Sequence, residues 1–387
     1  MTKLVIIGTG LAGYSLAREF RRRNQEAELL LITRDDGSSY SKPMLSNALG
    51  KNKQAHELVM ATAEKMATDL NAEIWNNTHV VKIDVEAQTL EVERNSKKES
   101  VAYDQLVFAN GANVINAPIE GNASKRVLSV NDLQDYHQFR AELDKGKRVV
   151  IIGAGLIGCE FANDLSNIEA EINIVDLAPQ ALGMLLPQQA AEKLKEKLSE
   201  FGVKWHFDNV VTHVDTHQDE SSLLVTLKDG TKINADIVLS AIGLRPALEL
   251  ADATGLETER GIKVDRYMKT SDENIYALGD CAQIEDLTLP FVMPLMTSAR
   301  ALAATLCGEE TAVRYPAMPV VVKTPCYPTV VCPAPRRDEG EWEVEINEQG
   351  VCGLFKDKEG NVLGFVLMGE RVAEKTTLAK QVADWLP

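Results

Sequence analysis

The sequence predicts an α/β protein: two Rossmann-like dinucleotide-binding domains followed by a small α+β C-terminal domain. Three observations carry this. A glycine-rich turn sits between an apolar run and a helix-compatible stretch at Gly8, and the same device recurs at Gly153. At 387 residues the chain has room for two or three domains. After residue 315 prolines crowd the chain (Pro316, Pro319, Pro325, Pro328, Pro333, Pro335), and proline interrupts helices and interior strands.

The elements follow in order. Leu4-Val5-Ile6-Ile7 reads as a strand buried on both faces of a parallel sheet. Gly8-Thr9-Gly10-Leu11-Ala12-Gly13 comes next, then a helix-compatible stretch from Tyr14 to Arg23 and a second strand at Leu29-Leu30-Leu31-Ile32. That is the βαβ setting a dinucleotide fingerprint needs. Gly8 permits the tight turn, Gly10 lets backbone approach a pyrophosphate, and Gly13 lets the helix pack closely on the strand. The helix N-terminus offers unpaired N–H groups to the phosphates.

The second unit is tidier. Arg148–Ile152 is the strand, Gly153-Ala154-Gly155-Leu156-Ile157-Gly158 the turn, Cys159-Glu160-Phe161-Ala162 opens the helix, and Ile172–Asp176 is the next strand. Asp176 lies 18 residues beyond Gly158, close to the spacing of an acid that binds a ribose 2′-OH. A carboxylate there accepts from the free diol and repels a 2′-phosphate, which predicts NADH over NADPH; the plainer reading is an acid that ends a strand. In the first unit Thr33, Arg34 and Asp35 occupy the matching place, with Asp35 a little late. Two dinucleotide sites on one chain imply electron transfer between two dinucleotides.

Composition narrows the classes. With 45% hydrophobic and 25% charged residues, the chain is neither disordered nor a small disulfide scaffold. Its formal net charge of -16 repels nucleic acid backbones and anionic membrane surfaces. No apolar stretch approaches a membrane span. Strand-like residues from Lys3 leave no room for a leader, so a cytoplasmic protein without membrane insertion is expected. The six cysteines contain no C-x-x-C, and no His/Cys cluster has metal-ligand spacing. Cys159, Cys281, Cys326 and Cys332 read as unpaired thiols. Arg18, Arg21, Arg22 and Arg23 read as a solvated face that suits a helix C-terminus.

Further stretches carry a resemblance. Leu106-Val107-Phe108-Ala109-Asn110-Gly111, Ile237 to Pro246, and Thr270 followed by Asn274-Ile275-Tyr276-Ala277-Leu278-Gly279-Asp280 stand in the order found in two-dinucleotide flavoproteins. The chain therefore resembles the FAD-dependent pyridine nucleotide-disulfide oxidoreductases. The resemblance implies an FAD domain of residues 1–110 and 240–315, an NAD domain of 111–239 and a C-terminal interface-type domain of 316–387. Disulfide-reducing members carry a C-x4-C pair after the second strand. Here that region reads Ser39-Tyr40-Ser41-Lys42-Pro43-Met44-Leu45-Ser46, without cysteine. Thiol exchange needs a thiolate, so single-electron delivery to a separate redox protein is expected.

Tyr40 to Ser46, Lys323-Thr324-Pro325 and the short length look like the rubredoxin–NAD reductases. That likeness implies Lys42 beside the flavin, Thr9 to Ala12 at the pyrophosphate, Thr33 and Arg34 at the adenosine, and Val80 at the adenine. It also implies Gly111 closing the flavin half, Asp280 at the ribityl chain, Val292 at the pyrimidine edge and Lys323 as a flavin contact. Glu160 is implied near flavin and nicotinamide; its alternative is an acid complementing a helix N-terminus. Lys42 and Glu160 are the candidates for catalysis, and no metal is expected. The implied reaction passes hydride from NADH to FAD and single electrons to rubredoxin, supplying an alkane hydroxylase. Rubredoxins are acidic, so a local basic or apolar docking patch is expected. A ferredoxin or other iron protein as acceptor, or a redox-gated FAD/NADH binding protein, are the competing readings. An oligomer is possible on this sequence, and the state leaves no period in it.

Overall fold

Lys3–Ile7 forms the central strand of a five-stranded parallel sheet in a computed structural model, which describes residues 2–217, 221–334 and 339–387. Its neighbours are Glu28–Ile32 on one side and Gln105–Phe108 on the other, with Glu73–Trp75 and Ile275–Ala277 outermost. All pairings are parallel, so both faces must be covered. That is why these strands are runs of Leu, Val and Ile without alternation. Ile275–Ala277 joins from far along the chain, and the second parallel sheet is inserted between.

That second sheet has four strands in the order Val203–His206, Glu171–Val175, Arg148–Ile152, Ile237–Ser240. In both sheets the strand before the glycine turn lies between its successor and a much later strand. This reversal of order opens a crevice at the strand ends. Each sheet carries a three-stranded antiparallel companion: Thr78–Asp84 with Thr89–Arg94 and Lys97–Ala102, and Val211–Thr216 with Leu223–Leu227 and Lys232–Ala235. The two crossings between sheets pair with each other as Ala112–Val114 and Leu244–Pro246.

The C-terminal part is a five-stranded antiparallel sheet, Val320–Val322, Thr329–Cys332, Val362–Gly369, Gly350–Lys356 and Glu341–Asn347 in spatial order, ending in the short helix Lys375–Ala379. Of the prolines expected at its boundary, Pro335 lies outside the described residues. This sheet does not close a core of its own. Val322, Val331, Val351, Val366 and Met368 pack in one cluster with Ile151, Ile174 and Leu239 of the second sheet and Leu45 and Leu49 after the first. Leu378, Trp385 and Leu386 pack instead in the cluster of Val5, Leu31 and Phe108.

The first helix runs Leu11–Arg23, starting at the turn itself rather than at Tyr14. Its arginines correct the expectation of a solvated face. Arg21 donates to the carbonyls of Leu70, Asn24, Ala27 and Asn71, closing the ends of the neighbouring helix and strand. Arg18 reaches Ser39 Oγ and Met66 Sδ. Arg18, Arg22 and Arg23 are exposed as expected, the last two in pairs with Glu19 and Glu309.

Helix and strand cross so tightly that a Cβ on Gly13 would lie 1.9 Å from the Gly8 carbonyl oxygen, and one on Gly158 would lie 1.9 Å from that of Gly153. Backbone at both points is fixed by Gly8 N–H donating to Ile32 and Gly153 N–H to Val175. Gly13→Ala and Gly158→Ala are each expected to cost about 1–3 kcal/mol of stability. Chemical denaturation of the two variants checks this; unchanged midpoints would remove the crossing as a constraint.

Candidate functional site

The two glycine turns are near copies. Gly8 has φ +114° and Gly153 φ +108°, a left-handed conformation that favours glycine. Side chains there would also collide with the carbonyls of Ala109 at 2.3 Å and Ala241 at 2.6 Å. Gly10 and Gly155 are different: a Cβ on either would meet nothing within 4 Å, because their faces look into open space. They are the N-caps of helices Leu11–Arg23 and Leu156–Ser166, with no side-chain cap and no acid in the first turn. The first N–H groups of both helices are thus left for a ligand, and their dipoles favour an anion.

Both turns open on one cavity of about 2310 Å³. Ligand pockets usually hold roughly 300–1,000 Å³, so there is space for two dinucleotides. Its lining includes Gly8, Thr9, Gly10, Leu11, Ala12, Thr33, Arg34, Lys42, Val80 and Gly111, together with Gly153, Gly155, Glu160, Asp176, Asp280, Val292 and Lys323. Every expected site residue is therefore brought together except Gly13 and Gly158, which lie behind the turns as packing positions. The residues fit FAD and a nicotinamide dinucleotide on a further observation: Asn110 Oδ1 and Asn131 Oδ1 are buried acceptors without a partner, on side chains that line the same cavity. A ligand with N–H and O–H donors would satisfy them.

Lys42 opens the short helical segment Lys42–Asn47. Burial holds its pKa below that of an ordinary lysine, while Asp280, Asp132 and Asp135 oppose that shift. Burial raises the Asp280 carboxyl, and Lys42 pulls it back down. Asp132 caps helix Leu133–Leu143 by accepting from Asp135 N–H. Neither Asp132 nor Asp135 is marked by any motif; only the fold brings them to Lys42.

Glu160 is 5% exposed and does not pair with Lys42. Lys323 Nζ lies 2.5 Å from Glu160 Oε2, Lys323 N–H donates to Oε1 at 3.1 Å, and Ser46 Oγ–H donates to Oε2 at 2.7 Å. One turn on, Asn163 Oδ1 accepts from Cys326 N–H, and Asp164 accepts from Leu49 and Gly50 N–H, both at 2.8 Å. Ser46, Asn163 and Asp164 were invisible to motif reading. A signal did exist: Glu, Asn and Asp on an otherwise apolar helix demand buried partners.

The Asp176 carboxylate accepts from Ala154 N–H inside the glycine turn and from Ala178 N–H at 2.6 Å. It therefore shapes the turn as well as lining the cavity. Asp35 does similar work in the first unit, accepting from Thr33 Oγ1 at 2.7 Å and Gly37 N–H at 3.0 Å. All six cysteines are free, and none lines the cavity. Burial pushes the Cys281 thiol up to about 12 and Cys159 still higher. Such thiols are inert.

Comparison with known proteins agrees with this geometry. The family model described as pyridine nucleotide-disulphide oxidoreductase matches residues 2–303, and one described as rubredoxin binding C-terminal domain matches residues 312–382. The chain is 47% identical over 387 residues to the rubredoxin-NAD(+) reductase of Alcanivorax borkumensis, covering 100% of each. It is 45% identical over 390 residues to the rubredoxin-NAD(+) reductase of Acinetobacter baylyi, covering 100% of this chain and 99% of that one. Among solved structures it resembles a ferredoxin reductase from Rhodopseudomonas palustris with a TM-score of 0.89 and 25% identity, over 99% of this chain and 96% of the other.

Because Asp176 touches both the turn and the cavity, Asp176→Ala is expected to weaken NADH by ~1–3 kcal/mol while flavin content stays unchanged. Anaerobic titration of the flavin absorbance measures both quantities. Unaltered NADH affinity would remove Asp176 from the nucleotide site.

Proposed function

This chain belongs to the pyridine nucleotide-disulphide oxidoreductase family, and we propose that it is an FAD-dependent NADH:rubredoxin oxidoreductase. One observation carries the reading: a single cavity is lined by both glycine turns and by Lys42, and by no cysteine. With no thiolate at hand, electrons leave singly rather than through disulfide exchange. NADH and two ferric rubredoxins become NAD⁺, one proton and two ferrous rubredoxins. The matched rubredoxin-binding domain and the reductases of Alcanivorax and Acinetobacter support the choice of acceptor.

The proposed division of labour follows the cavity walls. Residues 1–110 and 240–315 hold FAD: Gly8 to Ala12 bind the pyrophosphate, Thr33, Arg34 and Val80 the adenosine, and Gly111, Asp280 and Val292 the flavin half. Residues 111–239 hold NADH, through Gly153, Gly155 and Asp176. Residues 316–387 face the acceptor. The chemistry FAD supplies when bound is the conversion of a two-electron hydride into single electrons.

The protein's own groups orient and charge the site. Lys42 places an ammonium in a half-buried position on the cavity wall, where its field is screened less than in bulk water. Glu160 and Lys323 neutralise one another where two dinucleotides would meet, so neither adds an uncompensated charge. A cytoplasmic location suits six cysteines that are all free. No helix among the described residues is long and apolar enough to cross a membrane. Onward supply of an alkane hydroxylase extends the reading on resemblance alone.

A ferredoxin-type acceptor is the second reading, favoured by the likeness to the Rhodopseudomonas palustris reductase. Anaerobic NADH-dependent reduction of equal concentrations of a rubredoxin and a plant-type ferredoxin separates the two. The expected outcome is a preference for rubredoxin of about tenfold or more, equivalent to ~1.4 kcal/mol in the barrier. Equal rates or the reverse preference reject it.

The lowered pKa of Lys42 adds a second expectation. Its ammonium loses the proton at a lower pH than an ordinary lysine, so charge-dependent flavin reduction fades as pH rises. Stopped-flow reduction by NADH between about pH 7 and 10 should show this alkaline fall in the native protein. Lys42→Met should be slow throughout and Lys42→Arg flat; a Lys42→Met profile that keeps the fall would assign it elsewhere.

A further inference from the structure

Lys42 stands on a segment that cannot hold itself in place. Lys42–Asn47 is a 3-10 helix of six residues, and Ser41 at its start makes no side-chain cap. Short 3-10 turns have poor hydrogen-bond geometry and need neighbours to fix them. Here the neighbours are the helices Leu133–Leu143 and Leu156–Ser166, which lie in the second dinucleotide unit. Ser46 donates to Glu160, Asn52 Oδ1 accepts from Arg140 at 3.3 Å, and the Lys53 carbonyl accepts from the Tyr136 hydroxyl at 3.0 Å. Leu45, Ala48 and Leu49 pack in one cluster with Phe139, Phe161 and Leu165 of the same two helices.

Asp164 is the strongest of these anchors, and nothing in the proposed chemistry uses it. It is buried and does not line the cavity. Leu49 N–H donates to its Oδ2 and Gly50 N–H to its Oδ1, each at 2.8 Å. Two successive backbone donors on the two oxygens of one carboxylate fix orientation as well as distance. Burial raises the carboxyl, and the Gly50 and Leu49 N–H groups, followed by Lys51 and Arg140, draw it back down. There is no slack at the grip: a Cβ on Gly50 would lie 2.9 Å from Asn167 Nδ2 and 3.1 Å from Asp164 Oδ1. Asn167 is itself pinned by donating to the carbonyls of Asn163 and Asp164.

We propose that Asp164 is a positioning residue for Lys42: its grip on Leu49 and Gly50 sets where the Lys42 ammonium stands in the cavity wall. The inference rests on the reading of Lys42 as the cation beside FAD and deepens it. Position matters there because the energy of a partly desolvated charge changes with distance. Losing the grip has two electrostatic effects on a bound flavin, and they oppose each other. Removing an anion makes reduction of the flavin easier. Letting the ammonium of Lys42 withdraw makes it harder. The sign of the change therefore separates a positioning role from a direct effect of the Asp164 charge.

The test compares flavin-loaded native protein, Asp164→Asn, Lys42→Met and the double variant. Two readouts are taken: the midpoint potential of the bound flavin by dye titration, and hydrogen–deuterium exchange over residues 42–53. Asp164→Asn should make flavin reduction about tenfold less favourable, equivalent to about 30 mV for a two-electron couple. Exchange over residues 42–53 should quicken in the same variant. The double variant should have the potential of Lys42→Met alone, because the group being positioned is gone. A raised or unchanged potential in Asp164→Asn, beside a lowered one in Lys42→Met, overturns the inference alone; so does full additivity in the double variant. A native potential in Lys42→Met rejects the parent reading of that lysine, and the inference falls with it. Should Asp164→Asn fail to fold, the native protein decides: protection of the Leu49 and Gly50 amides by about a hundredfold or more is expected, and fast exchange there overturns the grip.

Discussion

A buried carboxylate has to be neutralised where it sits, and Glu160 takes its partners from two other parts of the chain. Ser46 comes from the segment after the first βαβ unit, and Lys323 from the C-terminal sheet. Leaving such a charge unpaired costs several kcal/mol, far more than the pair itself contributes over an apolar replacement. The arrangement therefore acts as a locating device. Asn163 and Asp164, one turn further along the same helix, repeat it with backbone N–H groups of Cys326, Leu49 and Gly50. The helix whose N-terminus opens on the cavity is tied along its side to both other parts of the protein.

The apolar packing has the same consequence. One core cluster runs from the second parallel sheet through Leu45 and Leu49 to the inner face of the C-terminal sheet. Another joins the first parallel sheet to Trp385 and Leu386. Each parallel sheet thus shares its core with the C-terminal part, which ties the walls of the cavity together. The two glycine turns that open on the cavity are then held by packed strands and helices rather than by loops. For hydride transfer, where misplacement by about an ångström is costly, such rigidity matters more than any reactive side chain.

The chemistry that remains is electrostatic. Lys42 retains an ammonium in a desolvated place because Asp280, Asp132 and Asp135 surround it. Glu160 and Lys323 cancel. The thiols of Cys159 and Cys281 are buried and held protonated. No cysteine lines the cavity, which fits a protein that positions redox groups and leaves the reaction to them.

Much of this was legible in the letters. The strand–turn–helix units at Gly8 and Gly153 are local: their glycines answer to backbone conformation and to contacts within one βαβ unit. Asp176 could be found by spacing for the same reason. Even the lysine in Tyr40–Ser46 and the absent cysteine pair are features of a short segment. The partnership of Glu160 with Lys323 was not legible, because 163 residues separate them and neither carries a mark of the other. Nor was the role of Arg21, which local pattern makes a solvated helix-end charge but which also donates to the distant carbonyls of Leu70 and Asn71. Sequence by itself determined the two glycine turns and the family they belong to, since those depend on neighbouring residues. Only the tertiary structure decided which charges neutralise one another, because burial and distance belong to the packed chain.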